Sequence, residues 1–181
     1  MSVLSISLLK AIEFAAEKHK KQKRKGKSGT PYINHPIQVA HLLASCGEGE
    51  NTELLTAAIL HDTIEDTTAT REELLLIFGE QVTSIVLEVT DDKSLPLKER
   101  KRLQVVHTPH TSDEAKKLKI ADKICNIKDI AFDPPMNWTL QRRLAYLDWA
   151  EAVVQGAKGV NATLEQYFFQ ALAEGRTKLM H

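Results

Sequence analysis

Apolar residues in this 181-residue chain recur at i, i+3, i+4 and i+7 almost from end to end, the spacing of helices that each bury one stripe. A sheet needs apolar and polar residues in alternation, and such runs are scarce. Even the β-branched stretch Ser84 to Thr90 spaces Ile85, Val86 and Val89 as a helix would. The chain is therefore predicted to be all-α, a bundle of about eight to ten helices. Leu8, Leu9, Ile12, Ala15, Ala16 and His19 mark a first helix, capped by Ser5 or Ser7 and running into a basic segment. Gly26, Ser28, Gly29 and Pro31 break it. Pro36 suits the first turn of a second helix carrying Ile37, Ala40, Leu43 and Ala44, which Gly47 and Gly49 end. Asn51 caps a third, whose middle, Leu54 to Leu60, is apolar all round and belongs at the centre of the core.

Thr70 and Glu73 form a capping box for a helix that stops at Gly79, and another follows to about Thr90. Pro96 opens one through Leu103 and Val106. Ser112 caps one carrying Leu118, Ile120, Ala121, Ile124 and Ile127, closed by Pro134-Pro135. Thr139 to Gln155 and Asn161 to Glu174 finish the bundle, the last stopped by Gly175. Trp138 and Trp149 are expected in the core. No repeat or long linker divides the chain, so residues 1–181 are expected to form a single domain.

Composition narrows the function. Twenty-four basic side chains balance 24 acidic ones, which excludes a bulk polyanion binder. Charge is nevertheless segregated: Lys18 to Lys27 holds seven Lys or Arg and no acid, whereas Glu48 to Asp92 holds twelve acids against Arg71 alone. Two solvated faces would account for that, and so would a cationic clamp beside a carboxylate cluster for a phosphate-bearing ligand. The basic run has no interleaved aromatics to stack bases, so no nucleic-acid partner is expected. No run reaches the ~20 apolar residues of a membrane span, and the apolar start, Met1 to Leu9, lacks a basic lead-in and a cleavage site. With only Cys46 and Cys125, both read as core thiols, a cytoplasmic protein is expected.

The sharpest feature is His61-Asp62 at the end of the apolar run, followed by Glu65-Asp66. On one helix these are i, i+4 pairs, four polar groups around a turn of a core helix. One buried His satisfied by a hydrogen bond would be ordinary. Three carboxylates crowding the same turn repel unless a cation sits among them. His35, before Pro36, and Asp122, a polar break on an apolar stripe with Asn126 one turn later, add a second imidazole and another carboxylate. Such an N/O set suits six-coordinate Mn²⁺ or Fe²⁺. The absence of paired cysteines argues against structural zinc.

Pro31-Tyr32 before His35-Pro36, the run His61-Asp62-Thr63-Ile64-Glu65-Asp66-Thr67, and Lys119-Ile120-Ala121-Asp122-Lys123 with Asn126 occur together in order. With Phe78-Gly79 and Val89-Thr90-Asp91-Asp92-Lys93 they span about Phe14 to Val160. This set resembles the HD-domain guanosine tetraphosphate hydrolases, the hydrolase half of the Rel/SpoT proteins. Glu99 to Gln104 (Glu-Arg-Lys-Arg-Leu-Gln) is similar to the small single-domain, animal-type homologues. The resemblance implies an all-α HD domain and a Mn²⁺ enzyme that takes pyrophosphate from the 3′ position of (p)ppGpp, leaving GDP or GTP. It implies His35, His61, Asp62 and Asp122 as metal ligands, and Glu65 and Asp66 as the pair that orients and deprotonates water. Arg24, Lys25 and Asn126 match nucleotide and phosphate contacts. Arg142 and Tyr146, an i, i+4 pair on the penultimate helix, are further candidates for the ligand; a solvated Arg covering a half-buried Tyr is the plainer account. Two rivals stand beside this function: a phosphatase on another ribose-phosphorylated nucleotide such as NADPH, and a non-catalytic nucleotide-binding module.

Overall fold

The computed structural model describes residues 3–181, and among them the chain is all-α. Eight helices of nine or more residues form a bundle: α1 (Val3–Lys18), α2 (Asn34–Leu43), α3 (Thr52–Leu60), α5 (Arg71–Val89), α6 (Leu97–His107), α7 (Asp113–Phe132), α8 (Leu140–Gln155) and α9 (Ala162–Met180). A single turn, α4 (Thr63–Asp66), follows α3. The predicted caps are made: Asn51 and Ser112 each accept a backbone N–H of the first turn, and Thr70 with Glu73 closes its capping box; Thr139 and Asn161, expected only as helix starts, cap their helices in the same way.

The core lies where the all-apolar run predicts. Leu54 to Leu60 is buried throughout, and α3 packs against α1, α2, α5 and α7. Helix α7 is the second axis, touching α2, α5, α8 and α9. Cys46 and Cys125 are buried free thiols. No described helix is long and apolar enough to cross a membrane.

Four expectations need correction. Neither Ser5 nor Ser7 caps α1, which starts at Val3; Met1 and Ser2, where a cap would fall, lie outside the described residues. The first helix also stops at Lys18 instead of running through the basic segment. There the chain folds back, with Lys23 bridged to Pro31, Arg24 N–H donating to Thr30 O at 2.9 Å and Tyr32 N–H to Gln22 O at 3.0 Å. Trp138 and Trp149 are half-buried, not core: Trp138 lines a cleft and Trp149 donates its indole N–H to Lys101 O at 3.0 Å.

Gly175 does not stop α9, which runs on to Met180. It is buried because α9 crosses α7 and α8 there: a Cβ on Gly175 would stand 3.1 Å from Ile127 Cγ2 and 3.4 Å from Leu147 Cδ2. Gly175→Val should therefore overpack this crossing and cost roughly 1–3 kcal/mol, read as a lowered Tm with helix content retained. An unchanged Tm would mean that α9 can move away at no cost. Gly79 does break the helical path as expected, at φ 83, within the range of α5.

Candidate active site

The end of α3 builds the site. The sequence predicts His61, Asp62, Glu65 and Asp66 on one helix, but α3 ends at Leu60 and Asp62 takes φ −96, ψ −2 before α4 begins. Side chains take over the carbonyls that the helix would have used. His61 Nδ1 donates to Ala58 O at 2.8 Å, and Thr63 Oγ1 donates to Leu60 O at 2.7 Å. The resulting corner turns His61 inward, where it is 5% exposed, and still leaves Glu65 and Asp66 beside it.

Helices α2 and α7 supply the facing groups. His35 stands in the first turn of α2 and is 1% exposed; Asp122 stands midway along α7. His35 Nε2 lies 3.1 Å from Asp122 Oδ1 and 3.8 Å from Asp62 Oδ2. His61 Nε2 lies 3.0 Å from Asp62 Oδ2 and 3.8 Å from Asp122 Oδ1. One donor atom each from His35, His61 and Asp62 lies within 4.8 Å of the others, and Asp122 reaches both imidazoles from α7.

This set fits a divalent cation. With Nδ1–H committed to Ala58 O, Nε2 is the His61 atom left to ligate a cation, and it is buried and makes no well-formed hydrogen bond. Burial alone would raise both carboxyls and lower both imidazoles. Instead the His61 imidazole holds Asp62 below the ordinary carboxylate range, the Lys123 ammonium beside Asp122 holds that group far below it, and Asp62 raises His61. Of the two imidazoles only His35 is lowered, by burial, which suits a neutral ligand. The four groups together favour positive charge at their centre.

Glu65 and Asp66 stand in unlike environments. Glu65 accepts the Asp91 N–H at 3.0 Å and faces Arg100 Nη1 at 3.4 Å. Burial, reinforced by Asp91, Asp62 and Asp66, pushes its carboxyl up to about 7. Asp66 is paired with the Lys93 ammonium and accepts the Tyr32 hydroxyl at 3.3 Å, while that hydroxyl also reaches Asp62 Oδ2 at 2.7 Å.

A cavity of about 270 Å³ encloses the cluster with Glu65, Asp66, Lys119 and Lys123. It adjoins a second of about 230 Å³, more apolar, between the basic loop and α8, lined by Arg24, Ile130, Pro135 and Trp138. Lys25, Tyr32, Asn126 and Tyr146 line both. Every predicted site residue except the further candidate Arg142 therefore borders one continuous cleft. Arg24 is held rigidly: Nε donates to Asp129 Oδ2 and Nη2 to Asn126 Oδ1, each at 2.8 Å. Asn126 in turn donates to Asp122 Oδ1 at 2.6 Å. Arg142 stacks on Trp138, 4.4 Å from its ring centre.

Sequence reasoning assigns no site role to Tyr32, Trp138, Lys119 or Lys123. Tyr32 carries a signal in its place beside His35-Pro36, and the two lysines flank Asp122 on an otherwise apolar stripe. Trp138 carries none, because nothing local separates a cleft-lining tryptophan from a core one.

Fold and cluster define a helical protein built around a His/Asp cluster able to hold a divalent metal. The HD domain family model matches residues 11–147. A zebrafish (Danio rerio) protein named guanosine-3′,5′-bis(diphosphate) 3′-pyrophosphohydrolase MESH1 is 50% identical over 95% of this chain and 96% of its own. The human protein of that name is 50% identical over 88% of this chain and 89% of its own. A solved structure described as a metazoan ortholog of SpoT that hydrolyzes ppGpp superposes with a TM-score of 0.90, at 40% identity, covering 96% of both chains. The chain belongs to the HD domain family, among the hydrolases that the MESH1 proteins represent.

Proposed function

We propose that this protein is a manganese-dependent hydrolase that removes the 3′-pyrophosphate of guanosine tetra- and pentaphosphate, leaving GDP or GTP. The observation that carries the reading is the buried two-imidazole, two-carboxylate cluster opening onto a cleft that has a desolvated carboxylate on one side and cations on the other. The names of the relatives support the substrate. The buried free thiols and the absence, among the described residues, of a membrane-spanning helix fit a cytoplasmic enzyme.

His35, His61, Asp62 and Asp122 hold the metal, and their N/O donors suit Mn²⁺, with Fe²⁺ as the alternative. When bound, the metal supplies Lewis acidity, which acidifies water and neutralises charge on phosphoryl oxygens. Glu65 takes the proton of the attacking water. Asp66, oriented by Lys93 and Tyr32, positions that water. Arg24, Lys25, Asn126 and Tyr146 receive the nucleotide: Lys25 meets phosphate charge, and Arg24, already fixed by Asp129, fixes Asn126 in turn.

The test is to strip the protein with chelator, restore it with Mn²⁺ or Zn²⁺, and assay guanosine 3′,5′-bis(diphosphate) beside NADPH. Turnover of the guanosine nucleotide should return with Mn²⁺ more than with Zn²⁺. No turnover with either metal, or better turnover of NADPH, contradicts the assignment.

The pH dependence follows from Glu65. A base must be unprotonated, and with its carboxyl near 7 the reactive fraction rises tenfold per unit below that pH and levels off above it. kcat/KM should show that acid limb, and Glu65→Gln should abolish it along with most of the rate. The sign for stability is opposite. A carboxyl raised in the folded state loses native-state preference as pH rises from its ordinary range through about 7, so ionising Glu65 works against the fold.

A further inference from the structure

Lys119 and Lys123 lie one turn apart on α7, 6% and 5% exposed, and both line the cavity that holds the His/Asp cluster. Lys123 is accounted for: its ammonium donates to Asp122 Oδ2 at 2.8 Å and sits 4.7 Å from the Trp149 ring centre. Lys119 is not. Among the described residues no carboxylate lies within ion-pairing distance of it, and Lys123 is the nearest strong charge of its own sign, while Asp91, Asp122 and Glu65 act on it from further away. A buried ammonium without a partner is costly, so its place calls for an anion.

The geometry of the cleft says which part of the ligand that anion is. Lys119 and Gln104 also line a third cavity, of about 190 Å³, which continues from the cluster cavity away from the nucleotide side. Arg100 lines it too, with a buried Nε that has no hydrogen-bond partner. Glu88, Asp91 and Asp92 line it as well, Asp91 standing against Glu65 and 3.8 Å from Arg100 Nη1. Asp91 is engaged by Gln104 Nε2 at 2.8 Å and Glu88 by the Ser112 N–H at 2.6 Å. The cavity beyond the cluster thus offers Lys119 and Arg100 as cations, has its acids Asp91 and Glu88 already engaged, and has room for one more phosphoryl group.

We propose that Lys119, with Arg100 behind it, forms the subsite for the outer phosphoryl group of a ribose pyrophosphate, and so sets the preference for a pyrophosphate over a monophosphate ester. This rests on the pyrophosphohydrolase reading above. Lys119 acts directly on the pyrophosphoryl group that is transferred to water, and Arg100 acts also through Glu65.

The matched substrates are guanosine 3′,5′-bis(diphosphate) and guanosine 5′-diphosphate 3′-monophosphate, which differ by that one group. On the Mn²⁺-loaded enzyme, Lys119→Gln should lower the ratio of their kcat/KM values by about 10 to 100-fold, the weight of a buried charge-assisted hydrogen bond. Lys119→Met, measured alongside, should do the same, and neither should lower Tm, since an unpaired buried charge is being removed. A ratio within about threefold of the wild type overturns the subsite. Should the wild type turn over neither nucleotide, the functional reading fails and the subsite is judged by calorimetry with inorganic pyrophosphate and orthophosphate. Loss of the pyrophosphate preference in Lys119→Gln then sustains it, and an unchanged preference removes it.

Discussion

Replacing His61 by alanine should strip the metal and, with it, the activity. Partners that merely orient a metal ligand typically cost 10–100-fold in metal affinity when mutated, so loss of a ligand at a four-residue site should cost more than about a hundredfold. The geometry sharpens the expectation. His61 Nε2 faces both Asp62 and Asp122, so without it Asp62 is left facing His35, and Asp122 facing His35 and Lys123. Asp122→Asn should do nearly as much harm while preserving shape, because it removes the charge that Lys123, His35 and His61 all face. Metal content by elemental analysis and turnover on the same samples decide the matter, with Tm as control because His61 also satisfies Ala58 O. Full metal content with normal turnover in either variant would remove the cluster from the mechanism.

Glu65→Gln and Asp66→Asn should separate proton transfer from metal binding. A positioned carboxylate base contributes ~10² to 10⁴ in rate, and both changes are close to isosteric. In Glu65→Gln the side-chain amide oxygen can still accept the Asp91 N–H, so the local geometry should survive. Both variants should retain metal and bind substrate, yet lose rate on that scale, Glu65→Gln more severely because its carboxylate is the desolvated one. Asp66→Asn weakens the pair with Lys93 and so loosens the water's placement. If both lose the metal, the pair belongs among its ligands. If both keep metal and full kcat, Glu65 and Asp66 are structural.

Helix starts were legible because capping chemistry is local: Asn51, Thr70 with Glu73, Ser112, Thr139 and Asn161 act within three residues of themselves. The four-residue cluster was legible because buried imidazoles and carboxylates break otherwise apolar patterns. The corner after Leu60 was not. It depends on His61 and Thr63 turning back to the Ala58 and Leu60 carbonyls, which helical periodicity does not encode. Gly175 reads as a stop signal but serves a helix crossing against Ile127 and Leu147, a tertiary fact. Likewise Trp138 and Trp149 carry the same local signature whether they fill a core or wall a cleft. Lys119 and Lys123 were in view beside Asp122, but their burial, and the contrast between one paired and one unpaired ammonium, belongs to the packed molecule.

The central claim is that water, with its proton taken by Glu65, attacks the phosphorus joined to the ribose 3′ oxygen. Turnover of guanosine 3′,5′-bis(diphosphate) in water labelled with heavy oxygen, followed by phosphorus NMR and mass spectrometry of the products, tests it directly. The account predicts one labelled oxygen in released pyrophosphate and none in GDP. Label in orthophosphate, from cleavage between the two phosphoryl groups, or in the nucleoside, from cleavage at carbon, would contradict it.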